Sequence, residues 1–192
     1  MELIPVKVTG ISICSPFQGY VVILKEEEGK KWLPIFIGVH EAHNISLLLQ
    51  GLKYLRPLTY DLFHNLLQES GAVVQKVTIN DLRDNTFYAE VLLRVTGNAE
   101  RKVDARPSDA VALAIKTKAP IFVHKHVLDE AGLVEGEQPD PQPELNDRLE
   151  ELKLQLKEVV EREAYEDAAR LRDQIKTLEA QRRKAENISN LR

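Results

Sequence analysis

The clearest pattern of apolar and polar positions in the chain covers residues 87–95. Phe87, Ala89, Val91, Leu93 and Val95 occupy alternate positions, and the residues between them include Glu90 and Arg94. A period of two is typical of a half-buried β-strand. The apolar run 73–82 lies just before it, across an Asp84-Asn85 pair that favours a tight hairpin turn. The pattern therefore predicts two antiparallel strands in succession.

Shorter patterns predict the other elements. Strand-like runs cover 6–14, 20–25, 31–37, 101–104 and 121–124. Apolar spacings of three and four predict helices over 39–52, from Thr59 to Gly71 and from Ser108 onwards, with a weak helical turn over 127–131. Strands and helices come in blocks rather than in strict alternation. This order favours an α+β fold with a mostly antiparallel sheet and packed helices.

The C-terminal region has a different architecture. All nine Gly and all nine Pro lie at or before Pro143, and residues 135–143 alternate Pro with polar residues, which favours an extended linker. Beyond it, apolar residues step by four and three, pause near Arg162, and resume; they are Leu145, Leu149, Leu152, Leu156, Val159, Ala168, Leu171, Ile175 and Leu178. We expect a main domain over 1–134, a linker over 135–143 and an antiparallel helical hairpin over 144–192.

Composition narrows the possible classes of protein. Apolar residues make up 43% of the 192 positions, enough for a real core, and 26 basic against 30 acidic residues give a formal net charge of −4. No bulk positive field therefore indicates a nucleic-acid binder, although a local basic groove remains compatible with this charge. The single Cys14 excludes an intrachain disulfide framework, and no apolar stretch approaches the ~18 residues that span a bilayer. These features predict a soluble, cytoplasmic protein.

Two helix entries concentrate polar chemistry. Asp104, Arg106, Ser108 and Asp109 fall within six positions, and Pro107 is suited to the first turn of the helix that follows. Ser108 or Asp109 is expected to cap the free amides there. The segment 56–62, Arg-Pro-Leu-Thr-Tyr-Asp-Leu, repeats this layout, with Arg56 before and Asp61 inside the helix start. Such an entry can hold a metal, orient a phosphate, or only cap itself.

An ordered set of segments resembles the bifunctional nuclease family. The set comprises 33–35 (Leu-Pro-Ile), 37–38 (Ile-Gly), 41–42 (Glu-Ala), Gly51, 56–62, 82–89 (Leu-Arg-Asp-Asn-Thr-Phe-Tyr-Ala), 103–114 (Val-Asp-Ala-Arg-Pro-Ser-Asp-Ala-Val-Ala-Leu-Ala) and 119–123 (Ala-Pro-Ile-Phe-Val). The resemblance covers residues 1–134. It implies an α+β domain that self-associates as a homodimer or larger oligomer and that hydrolyses DNA and RNA. One residue departs from the pattern, because Tyr60 stands where the family usually has His.

Metal-assisted cleavage of a phosphodiester needs oxygen ligands for Mg²⁺ or Mn²⁺ and cations that meet the phosphate charge. Glu41, Asp61, Asp104 and Asp109 are the candidate metal ligands, and Arg56, Arg106 and Ser108 are the candidate phosphate-binding residues. The hypothesis assigns catalysis to Asp61, Asp104, Arg106 and Asp109. The structural alternative is that these residues only stabilise the fold. Arg106 then bridges Asp104 or Asp109, and the carboxylate of Glu41 interacts favourably with the positive end of its helix.

The C-terminal region resembles the UVR motif, a helical hairpin found in the B and C subunits of bacterial nucleotide-excision repair and in some Clp-protease regulators. Residues 165–175 (Tyr-Glu-Asp-Ala-Ala-Arg-Leu-Arg-Asp-Gln-Ile) and Leu178 carry the resemblance. It implies a protein partner bound through Tyr165, Ala168, Leu171, Arg172 and Ile175. The leading hypothesis is thus a nuclease with an interaction hairpin, and the alternative is a non-catalytic adaptor that docks on a repair or Clp-protease machine.

Overall fold

The computed structural model of the chain describes residues 2–14, 19–52, 54–97, 99–134, 136, 142–162 and 165–189. These residues fall into two compact units. The first unit holds a β-sheet and four helices and carries the candidate site. The second consists of the two C-terminal helices.

The first unit contains strands and helices in mixed order along the chain. Its elements are β1 (Leu3–Cys14), β2 (Gly19–Glu26), β3 (Lys31–Ile37), α1 (Val39–Gln50), α2 (Thr59–Glu69), β4 (Val73–Arg83), β5 (Thr86–Arg94), β6 (Glu100–Ala105), α3 (Pro107–Thr117), β7 (Ile121–His124), α4 (Lys125–Ala131) and β8 (Leu133–Val134). The predicted elements are all present. The two-residue β8 was not predicted, because two residues carry no readable period.

All eight strands form one sheet in the order β6-β5-β4-β7-β1-β2-β3-β8. Every neighbouring pair is antiparallel except β4 and β7, which run parallel. The α+β fold with a mostly antiparallel sheet is confirmed. The topology places β6 at one edge of the sheet, directly before the Arg106 entry into α3.

The core lies between the sheet and its helices. Val77 and Ile79 of β4 are fully buried, and Val111 of α3 packs in the same cluster. Along α3, Ala110, Ala112 and Ala114 are also almost completely buried. Their small side chains allow this helix to lie close to the sheet, which fixes the position of its N-terminal end.

The start of α3 differs in one detail from the sequence-based expectation. Arg106 occupies the N-cap position with extended backbone and Pro107 is the first helical residue, but no side chain caps the helix. The expectation that Ser108 or Asp109 caps α3 is therefore wrong. The reason is register: both residues already lie inside the first turn, and a capping side chain must come from the residue before it.

The hairpin turn between β4 and β5 is as expected. Asp84 and Asn85 both have positive φ values, 47° and 60°. This pair of left-handed residues is the conformation of a type I′ turn, which Asp and Asn tolerate better than most residues. The turn brings the alternating residues of β5 against β4.

The second unit contains α5 (Gln142–Glu161) and α6 (Tyr165–Ser189). Leu149, Leu152 and Ile175 form its buried centre, and Lys153 pairs with Glu179 across the two helices at 3.5 Å. Most of the predicted linker lies outside the described residues, and Gln142 and Pro143 belong to α5. No helix in the described parts of the chain has the length and apolar character needed to cross a membrane.

Candidate active site at three helix entries

Four side chains join the first turns of three helices. Arg106, at the entry to α3, donates from Nε to Asp109 Oδ2 at 2.8 Å and pairs through Nη1 with Glu41 Oε1 at 3.1 Å. Tyr60, near the start of α2, donates its hydroxyl to Asp109 Oδ1 at 2.8 Å. We call Glu41, Tyr60, Arg106 and Asp109 the Arg106 cluster. Its four residues come from distant parts of the chain, between positions 41 and 109.

The position of the Glu41 carboxylate depends on Gly38, the residue directly before α1. A Cβ at residue 38 would collide with the Glu41 carboxylate, so a side chain there would displace it. Glu41 lies in the first turn of α1, where the positive end of the helix favours an anion. The same argument applies to Asp109 in the first turn of α3. Both parts of the structural alternative, an ion pair and a favourable helix end, are therefore present at this cluster.

Arg106 remains accessible although it is paired. Its side chain is 67% exposed, whereas that of Glu41 is only 21% exposed. The bond and charge of Asp109 raise the pKa of Arg106, and Glu41 adds to the effect. A guanidinium carries five N–H donors, and the two contacts above occupy two of its three nitrogens. The outer part of this group can therefore meet an incoming phosphate oxygen.

Tyr60 is held as a neutral phenol. The residue is only 9% exposed. Burial raises the pKa of Tyr60 far above its ordinary value, and the hydrogen bond to the Asp109 carboxylate raises it further. Tyr60 therefore acts as a hydrogen-bond donor at neutral pH and cannot abstract a proton there.

Asp61 lies beside Tyr60 in the chain but has other partners. Its Oδ1 forms an ion pair with Lys116 of α3, and its Oδ2 accepts the backbone N–H of Leu58 at 2.8 Å. The Lys116 bond, followed by the Leu58 amide, lowers the pKa of Asp61. These contacts fasten the start of α2 to α3. Among the described residues, the Asp61 side chain forms no hydrogen bond or ion pair with the Arg106 cluster.

Asp104 points away from the cluster. In the register of β5 and β6 it lies opposite Glu90, while Val103 and Ala105 lie opposite Val91 and Ala89 on the helix side of the sheet. Because successive side chains of a strand alternate between faces, the Asp104 carboxylate projects to the other face. The side chain of Glu90 on that face pairs with a lysine, Lys102, at 3.1 Å.

The two remaining predicted phosphate-binding residues differ in accessibility. Arg56 is exposed in the segment before α2, and the described residues offer it no ion-pair partner. Ser108 is only 7% exposed beneath the first turn of α3. A substrate arriving from solvent can thus reach Arg56 but not the Ser108 hydroxyl without movement of the helix start.

A groove of about 600 Å³ opens beside the cluster. Its apolar sides come from α2, α3, β5 and β6, and the residues involved are Phe63, Leu67, Val91, Leu93, Val103 and Leu113. Its polar lining residues are Tyr60, Arg106 and Asp109 of the Arg106 cluster and Asp104 of β6. We call this cavity the Phe63 groove. Sequence patterns did not predict this groove, because its walls come from four separate elements.

The predicted partner-binding residues of the hairpin mostly face inward. Ala168 is 1% exposed, Ile175 is 8% exposed, and Leu171 packs against the centre formed with α5. Arg172 is exposed, and the side chain of Tyr165 lies outside the described residues. Among apolar residues of the hairpin, Leu154 is 61% exposed and Val160 is 40% exposed.

Comparison with known proteins identifies both parts of the chain. Residues 22–136 match the model of the bifunctional nuclease domain, and residues 146–181 match the UvrB/uvrC motif. The chain belongs to the bifunctional nuclease domain family, and it carries a UvrB/uvrC motif after that domain.

Relatives from bacteria and plants support this assignment. An uncharacterized protein of Mycobacterium tuberculosis is 41% identical over 135 residues, which cover 70% of this chain and 80% of the relative. Bifunctional nuclease 1 of Oryza sativa subsp. japonica is 28% identical over 81% of this chain and 54% of its own length. Bifunctional nuclease 2 of Arabidopsis thaliana is 25% identical over 84% of this chain and 56% of its own length. The chain thus spans little more than half of these plant proteins.

Proposed function

We propose that this protein hydrolyses phosphodiester bonds of DNA, RNA or both, and that the Arg106 cluster is its active site. One observation carries the proposal: an exposed guanidinium joins two carboxylates at the entries of two helices and lies beside an open groove. Cations that meet developing charge and carboxylates that hold a metal or a proton are what phosphate chemistry requires. Membership in the nuclease family supports the same assignment.

The proposal gives Arg106, Tyr60 and Asp61 different roles. Arg106 binds a non-bridging phosphate oxygen and stabilises the charge that develops on it. Tyr60 fixes the orientation of Asp109 through its hydrogen bond and stays protonated. Asp61 has a positioning part, because it anchors the start of α2 to Lys116.

A divalent cation is part of the proposal, and Glu41 and Asp109 are the residues that would hold it. Within the described ranges, no three His, Cys, Asp or Glu side chains form a ready-made metal cage. Glu41 and Asp109 nevertheless converge on one guanidinium, and Mg²⁺ is usually held by one or two carboxylates together with substrate phosphates and water. The pair fits that type of site, and the ion would supply Lewis-acid stabilisation of the phosphate. Asp61 and Asp104 have no place in this smaller ligand set.

A nuclease assay tests the assignment directly. Purified full-length protein is incubated with labelled single- and double-stranded DNA and RNA, with Mg²⁺, Mn²⁺ or EDTA. We expect metal-dependent cleavage that Asp109→Ala abolishes. The matched control is Asp129→Ala, which removes an exposed carboxylate of α4 that pairs with Lys31 of β3, and this variant should cleave like the wild type. Equal cleavage by the Asp109 variant and the wild type would reject this site.

A second candidate function is a non-catalytic adaptor that docks on a repair or Clp-protease machine. The observation that favours it is the UvrB/uvrC motif, whose hairpin exposes Leu154 and Val160. In this function the hairpin binds a protein partner and the first domain binds a ligand without cleaving it. Absence of cleavage by the wild type under every metal condition, together with partner capture that Leu154→Glu abolishes, would favour the adaptor.

We also propose that the protein is cytoplasmic and self-associates. Leu52, Tyr54, Leu55 and Leu58 lie between α1 and α2 with large exposed fractions, and Leu55 is fully exposed. Apolar side chains grouped in this way are typical of protein–protein contacts. Light scattering should give the mass of a dimer for the wild type and a lower mass for Leu55→Ser, whereas a monomeric wild type would contradict the proposal.

A further inference from the structure

The Phe63 groove has the dimensions and chemistry of a binding site rather than of a packing defect. Its volume of about 600 Å³ lies in the middle of the usual range for ligand sites. Its body is apolar, and its polar lining residues are Asp104 and three members of the Arg106 cluster, Tyr60, Arg106 and Asp109. Phe63 itself is 53% exposed, so one side of an aromatic ring is available to a ligand.

A second cation lies on the groove side of the edge strand. Arg101 pairs in register with Leu93, and Val103 pairs with Val91, so Arg101 shares a face of β6 with the groove residue Val103. Arg101 is exposed and has no ion-pair partner among the residues that the structure describes. The six residues from Arg101 to Arg106 span about 17 Å of nearly extended chain. Arg106 lines the apolar groove, and Arg101 lies opposite its lining residue Leu93 in the register of β5 and β6.

This arrangement selects its ligand by charge and by shape. Two exposed guanidinium groups suit two phosphates of one strand, and a separation of about 17 Å corresponds to phosphates a few nucleotides apart. An apolar groove with an aromatic ring suits an unpaired base, since every base has a face that stacks on such a ring. In a duplex the bases are already stacked and paired, so they cannot enter without flipping out.

We infer that the substrate is single-stranded nucleic acid, with an unpaired base in the Phe63 groove and phosphates of the same strand on Arg101 and Arg106. This inference rests on the proposed function, because it names the strand type on which the Arg106 cluster acts. A peptide strand added to the free edge of β6 is the competing occupant. Four of the six residues of β6 are charged, which disfavours strand addition at this edge.

Fluorescence anisotropy on the full-length protein tests the inference. The probes are a labelled 12-nucleotide single strand of mixed sequence, the same strand in a duplex, and a strand of the same length with abasic sites. Binding is measured in EDTA, and a denaturing gel checks that the strand stays intact. We expect the wild type to bind the single strand at least about tenfold more tightly than the duplex or the abasic strand.

Two variants and two matched controls locate the binding. Phe63→Ala should weaken single-strand binding about tenfold, whereas Leu62→Ala, the neighbouring α2 residue with 54% exposure outside the groove lining, should not. Arg101→Gln should weaken binding and lower its salt dependence, whereas Arg94→Gln on the opposite face of the sheet should not. Arg101 is exposed, so this variant keeps the test valid if Phe63→Ala fails to fold.

The outcomes separate this inference from the proposed function. Cleavage by the wild type together with unchanged single-strand binding by Phe63→Ala and Arg101→Gln would overturn the groove and leave the nuclease assignment intact. Equal affinity for single strand and duplex would also overturn it, as would binding of unstructured peptides in place of nucleic acid. Groove-dependent binding without any cleavage would support the groove and reject hydrolysis.

Discussion

The phenol of Tyr60 donates a 2.8 Å hydrogen bond to Oδ1 of Asp109, which joins the first turn of α2 to the first turn of α3. Oδ2 of the same carboxylate receives Arg106 Nε. Each carboxylate oxygen of Asp109 thus accepts one hydrogen bond, Oδ1 from a neutral phenol and Oδ2 from a charged guanidinium. The orientation of the carboxylate is fixed by α2 and by the entry into α3, although Tyr60 and Asp109 are 49 positions apart in the chain.

Tyr60 should ionise only at a pH well above the ordinary range of a tyrosine. Its pKa in the folded state is raised above the ordinary value of about 10 by burial and by Asp109. The stability gained from the neutral phenol is therefore complete below pH ~10 and is lost as the pH rises through the higher folded value. Alkaline titration by phenolate absorbance should show one late tyrosine, which Tyr60→Phe removes.

The same variant should be less stable at neutral pH by about 1 kcal/mol, because one hydrogen bond to a partly buried carboxylate is lost. Denaturant unfolding measures this difference. Tyr88→Phe, which changes an exposed tyrosine of β5, is the control and should have little effect. A late tyrosine that persists in Tyr60→Phe would show that the phenol is not held as described.

Arg106→Lys should impair hydrolysis at least about tenfold while the fold is retained, since a single ammonium cannot join Glu41 and Asp109 and also present a flat pair of donors to phosphate. The control is Arg83→Lys. Arg83 has a side-chain exposure of 68%, nearly equal to that of Arg106, and it also pairs with an aspartate, Asp81. Similar losses in the two variants would point to a general charge effect rather than to the Arg106 cluster.

Asp61→Asn should destabilise the protein by about 1 kcal/mol at pH 7, because the Lys116 ion pair and the Leu58 amide bond are both weakened. The pKa of Asp61 is lowered in the folded state. Its contribution is therefore present above the unfolded pKa of about 3.9 and is lost as the pH falls through the lower folded value.

Urea unfolding from pH 7 down to pH 2 measures this dependence. The difference between Asp61→Asn and the wild type should shrink below about pH 4. Asp104→Asn serves as the control, because that exposed carboxylate has no ion-pair partner among the described residues. A difference that stays constant over the whole pH range would contradict the Lys116 assignment.

Local patterns predicted much of this fold, for physical reasons. The alternation along β5, the Asp84-Asn85 turn and the role of Pro107 at the start of α3 depend on residues a few positions apart. The convergence of Glu41 and Asp109 on Arg106 was only a hypothesis. It depends on how α1 and α3 pack together on the sheet, and no short segment of the sequence determines that packing.

Two of the candidate carboxylates differ in how far the sequence could predict their positions. The partner of Asp61 is Lys116, 55 positions away, and nothing near Asp61 indicates it. For Asp104 a signal did exist, because Val103 and Ala105 on either side are apolar and share the helix side of β6. The parity of the strand thus directs the Asp104 side chain to the face opposite Val103 and Ala105.

Tyr60→His restores the residue that the family resemblance leads one to expect next to Asp109. An imidazole there changes charge between pH 5 and 8, whereas the wild-type phenol stays neutral over that range. If proton transfer at this position limits hydrolysis, the variant should gain activity as the pH rises and the imidazole becomes neutral, since only the neutral ring accepts a proton.

The measurement is the pH dependence of the cleavage rate between pH 5 and 9 for the wild type, Tyr60→His and the control Tyr88→His. We expect a rising limb centred near the pKa of histidine, about 6.5, only in the Tyr60 variant. Identical profiles for all three proteins would mean that residue 60 takes no part in proton transfer. In that case Tyr60 serves only to orient Asp109, and the rate should depend on the hydrogen bond that it donates rather than on its ability to titrate.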